Sequence, residues 1–424
     1  MARWQRILYV SVIAQICSLV GFSFVYPFLP LFIQTLGVRG QAVPLWSGII
    51  GFSLSISMAL VAPIWGTLAD RYGRKPMVVR SMVSGVFTTG LLIVAPNVWF
   101  VLILRILQGI LTGSVAASQA LVASVTPREN MGFSMGLMQS AVFTGAAVGP
   151  LIGGFLNDHL GFHGTFAAGA SMLAIGALLV IFFVNEDFQR PAAATSGRRS
   201  LNPYAQMRDV VASPGLLAMA LVLFMAEFGN VVPAPILALF VPHLSGVPEL
   251  RGQPQTSTAV GIILAIAGVA AALSSLQVQR LTNRFGFRRV LIVATALAGC
   301  CYIPAFFVQA VWQLIAVRAA VGLCLGAAMP CATSIVGLLA PENRRASAYG
   351  LTASASSFGF AFGPLVGGAI GAFYGLRPVF VVTGAVLVLV AIAVTTTVRE
   401  PSRVKIAERP VAVEPAPYGA RGRK

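Results

Sequence analysis

Along the chain, apolar stretches of about 20 residues alternate with short polar breaks, and this rhythm outweighs any amphipathic period. A stretch of that length coils into a helix of about 30 Å, the thickness of a bilayer's hydrocarbon core. Twelve can be counted, at residues 6–35, 46–69, 77–95, 98–122, 132–157, 163–184, 214–241, 256–279, 289–308, 311–336, 346–373 and 377–398. They predict an all-α integral membrane protein with twelve transmembrane helices, spans 1 to 12. The pattern changes between spans 6 and 7, where Glu186, Asp187, Arg190, Arg198, Arg199, Arg208 and Asp209 crowd a polar stretch. The predicted organisation is a first bundle at 1–184, a central loop at 185–213 and a second bundle at 214–400. Residues 201–211 carry a weak signal for an interfacial helix. The Pro-, Ala- and Arg-rich tail at 401–424 is predicted to be disordered.

The two halves repeat each other. A shift of 213 lays Arg71 on Arg284, Gly73 on Gly286, Arg105 on Arg318 and Gly109 on Gly322. A shift of 214 lays Gly145, Gly149, Pro150, Gly153 and Gly154 on Gly359, Gly363, Pro364, Gly367 and Gly368. Landmarks that recur in the same order imply two six-helix bundles related by a pseudo-two-fold axis along the membrane normal. Such repeats place a substrate site between the bundles, near the midplane.

Composition sharpens this picture. With 57% apolar residues, 10% charged residues and a mean hydropathy of +0.85, the chain is not a soluble globular protein. A net charge of +17 would suggest a nucleic-acid partner for a soluble chain, but the distribution of the charge argues otherwise. If the N-terminus is cytoplasmic, 24 of the 29 Lys and Arg residues fall on the cytoplasmic side. Arg39, Arg251 and Arg377 then lie outside, and Arg105 and Arg318 lie within spans. The basicity therefore reads as topology, with both termini cytoplasmic and no nucleic-acid partner.

Cys17, Cys300, Cys301, Cys324 and Cys331 sit in apolar runs without metal-ligand spacing, and read as small buried residues. Residues 1–6 lead into a run too long for a cleavable signal. No nucleotide loop, metal cluster or Ser-His-Asp set appears, and His159, His163 and His243 fall near outer loops. An enzyme is not expected, nor a cofactor or a metal. The energy must come from an ion gradient or from the substrate's own gradient.

Charge is densest in a short knot between spans 2 and 3, Gly66-Thr67-Leu68-Ala69-Asp70-Arg71-Tyr72-Gly73-Arg74-Lys75-Pro76-Met77. Gly73 permits the positive φ of a sharp reversal, and Asp70 can accept backbone N–H bonds and pair with cations. Pro76 suits the first turn of the next helix. The second half keeps a degraded copy, with Asn283 in place of the acid and Phe287 in place of Arg74. In span 5, Gly145, Gly149 and Gly153 recur every four residues, so they line one face and admit a close neighbour. Pro150 removes a backbone hydrogen bond and favours a bend. In span 1, Pro27 and Pro30 deprive the carbonyls of Ser23 and Tyr26 of their helical partners. Arg105 in span 4 lies at a depth similar to Tyr26, so two roles stand open for it: capping that broken turn, or handling protons or substrate. Gln108 and Thr112 share its helix face. Arg318 repeats the arrangement opposite Pro233 and Pro235, with Val321 in place of the glutamine.

Four of these features together resemble the major facilitator superfamily. The knot resembles its loop signature G-x-L-A-D-R-x-G-R-K, and Arg105-Ile-Leu-Gln108-Gly109 resembles its R-x-x-Q-G motif. Pro27-Phe28-Leu29-Pro30 is similar to its first-helix motif in drug exporters. Gly145 to Gly154 resembles the G-x-x-x-G-P-x-x-G-G signature of its antiporter branches. The resemblance spans about 390 residues. It implies a bacterial inner-membrane, proton-coupled exporter of lipophilic drugs or other small molecules that works by alternating access and is expected to be a monomer. A charge network of Asp70, Arg71, Gly73 and Arg74 would hold the halves together at the cytoplasmic mouth. The cavity would be walled by spans 1, 4, 7 and 10. Candidate lining residues are Gln15, Ser18, Phe22 and Tyr26 on span 1, Gln108 and Thr112 on span 4, Gln139 and Phe143 on span 5, and Asn230 on span 7. An exporter of one specific metabolite, such as a sugar or a pathway product, has the same architecture. A non-transporting membrane receptor is the reading from another class.

One acid stands apart. Asp70, Glu129, Asp158, Glu186, Asp187, Asp209, Glu249, Glu342, Glu400, Glu408 and Glu414 fall in loops, tails or helix ends, whereas Glu227 sits roughly 20 Å from each end of span 7. A carboxylate within the membrane is expensive and marks a functional site, here a proton-coupling one. Direct binding of a cationic substrate and structural pairing with Asn230 or an arginine are the competing roles. Related exporters often carry an acid on this helix. Many also carry one in span 1, which this chain lacks.

Overall fold

A computed structural model describes residues 3–127, 130–186, 214–250, 253–339 and 345–398. The interfacial helix expected at 201–211, the tail and the side chain of Asp70 lie outside the described residues. Among the described residues, eleven helices are long and apolar enough to cross a membrane. One of them, Met131–Phe183, has 53 residues and would be about 80 Å long if straight, more than twice the hydrocarbon core. It turns at Gly161, which has φ 68° and ψ −177°, and so serves as both span 5 and span 6. Twelve crossings result.

Span 1 comprises Arg3–Ser23, a 3-10 turn at Tyr26–Phe28 and a short helix at Leu29–Thr35. Spans 2 and 3 are Ala42–Tyr72 and Arg74–Leu91. Span 7 is Pro214–Val231 continued by Ala234–Phe240, and span 8 is Thr256–Phe285. Spans 9 to 12 are Phe287–Tyr302, Val311–Leu339, Arg345–Phe373 and Pro378–Thr397. Two-residue strands at Glu249–Leu250 and Gln253–Pro254 pair in the loop between spans 7 and 8. Spans 1 and 7 break near the prolines that remove their backbone bonds. Pro150 lies inside a continuous helix, so the bend expected there does not interrupt span 5.

Span 4 differs from the single run that its apolar pattern predicts. It is two helices, Val98–Leu111 and Ser114–Val125, parted at Thr112 and Gly113. Gly113 has φ 120°, a value that disfavours any side chain. The carbonyls freed by the break find donors on neighbouring spans. Trp65 Nε1 donates to Ile110 O at 2.7 Å, Ser84 Oγ to Leu111 O at 3.1 Å and Arg80 Nη2 to Thr112 O at 3.4 Å. Lipid offers no such partners, so a break in a span persists only where protein supplies them.

The bundle has two ends. At the knot end, Gly73 and Gly286 turn spans 2 and 8 into spans 3 and 9 with nearly equal backbone angles, φ 98° and 86°. At the other, far end, Phe28 of span 1 joins a buried cluster with Val232, Ile236 and Phe240 of span 7. Two longer seams also join the halves there: span 2 against span 11, and span 5 against span 8.

Candidate functional site

The polar chemistry of the first half gathers where span 1 meets span 4. Ser11, Gln15 and Ser18 are buried on span 1, and Arg105, Gln108, Thr112, Ser114 and Ser118 on span 4. Ser18 Oγ donates to Ser114 Oγ at 3.1 Å, and Thr112 Oγ1 to Gln108 O at 2.7 Å. Arg105 Nη1 donates to Gln108 Oε1 at 2.7 Å. Its guanidinium is therefore aimed along its own helix rather than at the Ser23 and Tyr26 carbonyls that the depth match suggested. Arg105 Nε and Nη2, both amide atoms of Gln15 and the hydroxyls of Ser11 and Ser118 make no protein hydrogen bond. Buried polar atoms of this kind are met by water or by a bound solute. The sequence offered the residue types for this row, but not its continuity across two helices.

The other residues expected to line a cavity divide. Tyr26 is half-buried, within electrostatic reach of Arg105. Phe22 does not share its surroundings, since its ring lies against Gly85 of span 3, so close that a Cβ there would sit 2.9 Å from the ring. Helical spacing keeps these four positions within about 80° of one another, but it does not say which neighbour that face meets, and at Phe22 the neighbour is span 3. Gln139 and Phe143 are exposed on span 5. Glu227 and Asn230, three apart on span 7, are both half-buried. Arg318, buried in span 10, donates from Nη1 to the Tyr302 hydroxyl of span 9 at 2.9 Å. The two repeat arginines thus have different partners.

At the knot, Arg71 is exposed with its guanidinium over the ring of Tyr72, 5.5 Å from the centroid. The N-terminus of span 3 is capped from the end of span 6. Glu186 accepts the backbone N–H of Arg74 at 2.9 Å and of Lys75 at 2.7 Å. A carboxylate at a helix N-terminus completes unmet donors and opposes the helix dipole favourably. Glu186 was legible only as one charge among many at the edge of the central loop.

The glycine motif sorts by face. A Cβ on Gly145, Gly149 or Gly153 would strike Leu19, Ser23 or Phe24 of span 1, within the first half. A Cβ on Gly154 would strike the backbone of Ser257 in span 8, across the seam. The repeat behaves alike: Gly359, Gly363 and Gly367 face span 7, and Gly368 faces Pro44 and Gly48 of span 2. Each copy therefore ties one helix to its own bundle and to the opposite one.

The sequence profile described as Major Facilitator Superfamily matches residues 11–250 and 219–421. The chain is similar to the multidrug resistance protein MdtG of Salmonella arizonae, with 36% identity over 396 residues that cover 92% of this chain and 94% of that protein. MdtG of Salmonella paratyphi B matches with the same identity and coverage. Among solved structures, the nucleoside transporter NupG is similar with a TM-score of 0.75 at 16% identity, covering 94% of this chain and 99% of that one. A bacterial homologue of the human lysosomal transporter Spinster gives 0.73 at 17% identity, covering 94% and 98%. The human organic anion transporter MFSD10 gives 0.65 at 19% identity, covering 93% and 100%.

Proposed function

The chain belongs to the major facilitator superfamily, and from that premise we propose that this secondary transporter exports lipophilic drugs from the bacterial cell in exchange for protons. It is a multi-pass protein of the inner membrane. In the proposed topology both termini and the knot face the cytoplasm, and the far end faces outward. The seams that hold the halves together then lie on the outer side, so substrate is collected from within and released when those seams part. The chain is taken to act as a monomer of two bundles, 1–184 and 214–400, joined by the loop at 185–213.

Proton coupling rests on Glu227, a half-buried carboxyl in the middle of a membrane span with Asn230 three residues on. A group so placed takes and releases a proton according to which side of the membrane reaches it and what occupies the cavity. The buried row of Arg105, Gln108, Thr112 and Gln15 supplies polar contacts on the opposite bundle. Asp70, Arg71 and Arg74 are the proposed contacts that close the cytoplasmic mouth when the outer seams open.

Purified protein in liposomes with an imposed pH gradient tests this directly. It should accumulate several chemically unrelated lipophilic compounds, and the gradient should collapse faster when they are present. Transport of a single metabolite would replace the drug reading with that of a specific exporter. Transport indifferent to the pH gradient would remove proton exchange.

A further inference from the structure

Span 8 begins without a cap of its own. Gln255, the residue before it, makes no side-chain capping bond, and the first turn carries no acid. Four backbone donors at a helix start need acceptors, and lipid supplies none. The N–H of Gln255 is met by Pro248 O in its own half, whereas those of Ser257 and Thr258 find acceptors in the other half. Asp158, at the far end of span 5, accepts the N–H of Thr258 at 2.6 Å on Oδ2 and that of Ser257 at 3.2 Å on Oδ1. Beside it, Asn157 is buried and donates from Nδ2 to Ser257 Oγ at 2.7 Å.

The position of Asp158 has no advantage within its own half. It lies in the last turn before the kink at Gly161, the negative end of the span 5 helix, where a carboxylate is unfavourable. The same charge is favourable at the positive start of span 8. Its placement makes physical sense only when the two halves are together at this end.

We propose that Asp158, supported by Asn157, is the latch of the outer gate: a carboxylate borne by one half that caps the uncapped first turn of span 8 in the other and holds the protein closed to the outside. Opening outward separates span 5 from span 8, breaks both charged hydrogen bonds and leaves the first turn of span 8 to outside water. Asp158 thereby sets how the protein divides its time between outward-closed and outward-open forms. The latch rests on the alternating-access reading but not on Glu227, on protons or on the identity of the substrate.

The test uses full-length protein in lipid nanodiscs without substrate or pH gradient. One spin-label pair reports the distance between the outer ends of spans 5 and 8, and a second pair reports the knot end. Losing the cap should raise the outward-open fraction about tenfold in Asp158→Ala, with a matching contraction at the knot end. The near-isosteric Asp158→Asn keeps one acceptor oxygen and should move in the same direction by less. It decides the matter alone should the alanine variant fail to insert. Asn157→Ala should give a further, smaller opening. Distance distributions in Asp158→Asn and Asp158→Ala indistinguishable from wild type, at both ends, would overturn the latch whatever the protein transports.

Discussion

The two seams between the halves are built from one repeated plan and differ in chemistry. In the seam between spans 2 and 11, Gly48 and Gly51 meet Pro364, Gly368 meets Pro44, and Phe52 lies 5.2 Å from Phe362. Its described contacts are backbone and apolar. In the seam between spans 5 and 8, Gly154 meets Ser257 and Gly261 meets Pro150 in the same manner, but Asp158 and Asn157 add three hydrogen bonds. Under the repeat, Asp158 falls opposite Gly371 or Ala372, neither of which can cap span 2. Shape is shared and charge is not. Close packing of backbones fits two surfaces together, whereas a charged bond makes one seam depend on a single group. The apolar seam therefore suits a pivot, and the polar one a latch.

The largest effect should come from the part that the seams share. Gly154→Leu and Gly368→Leu each drive a side chain into backbone that cannot yield, with an overpacking cost of about 1–3 kcal/mol or more. Both variants should insert normally and lose transport, as measured by drug accumulation in cells. Normal transport by either would mean that its seam does not need close approach. Gly149→Leu, on the face toward span 1, should lose transport through damage within one half.

A smaller effect is expected at the opposite end. Asp70→Asn should weaken the proposed cytoplasmic closure and increase labelling of cysteines placed on the knot-end faces of spans 2 and 11. Unchanged labelling would remove Asp70 from the closure. The smallest effect is expected from a change that makes the two seams alike in charge. Ala372→Asp gives span 2 the acid that span 8 borrows from Asp158, and should favour the outward-closed form by about threefold. If spin-label distances do not move, charge at a helix start is not what distinguishes the seams.

The sequence made much of this legible where the physics is local. Span lengths, the prolines of spans 1 and 7, the four-residue glycine spacing and the buried arginines follow from near neighbours along the chain. The break in span 4 did not, because its only local sign is Gly113, while Trp65, Arg80 and Ser84 that stabilise it come from spans 2 and 3. Phe22 was placed on a cavity stripe because spacing alone cannot tell which neighbour a helix face meets. Asp158 read as one more acid near an outer loop. Its partner is 100 residues away, in the other half, and only the assembled fold brings them together.

Whether proton exchange runs through Glu227 is decided by comparing wild type with Glu227→Gln in proteoliposomes under an imposed pH gradient. Wild type should drive a lipophilic compound against its concentration gradient with protons moving the other way. The glutamine variant, which cannot release a proton, should bind and equilibrate the compound but not concentrate it, whatever the gradient. Uphill transport by Glu227→Gln with the same proton dependence as wild type would place the coupling elsewhere and contradict the assignment.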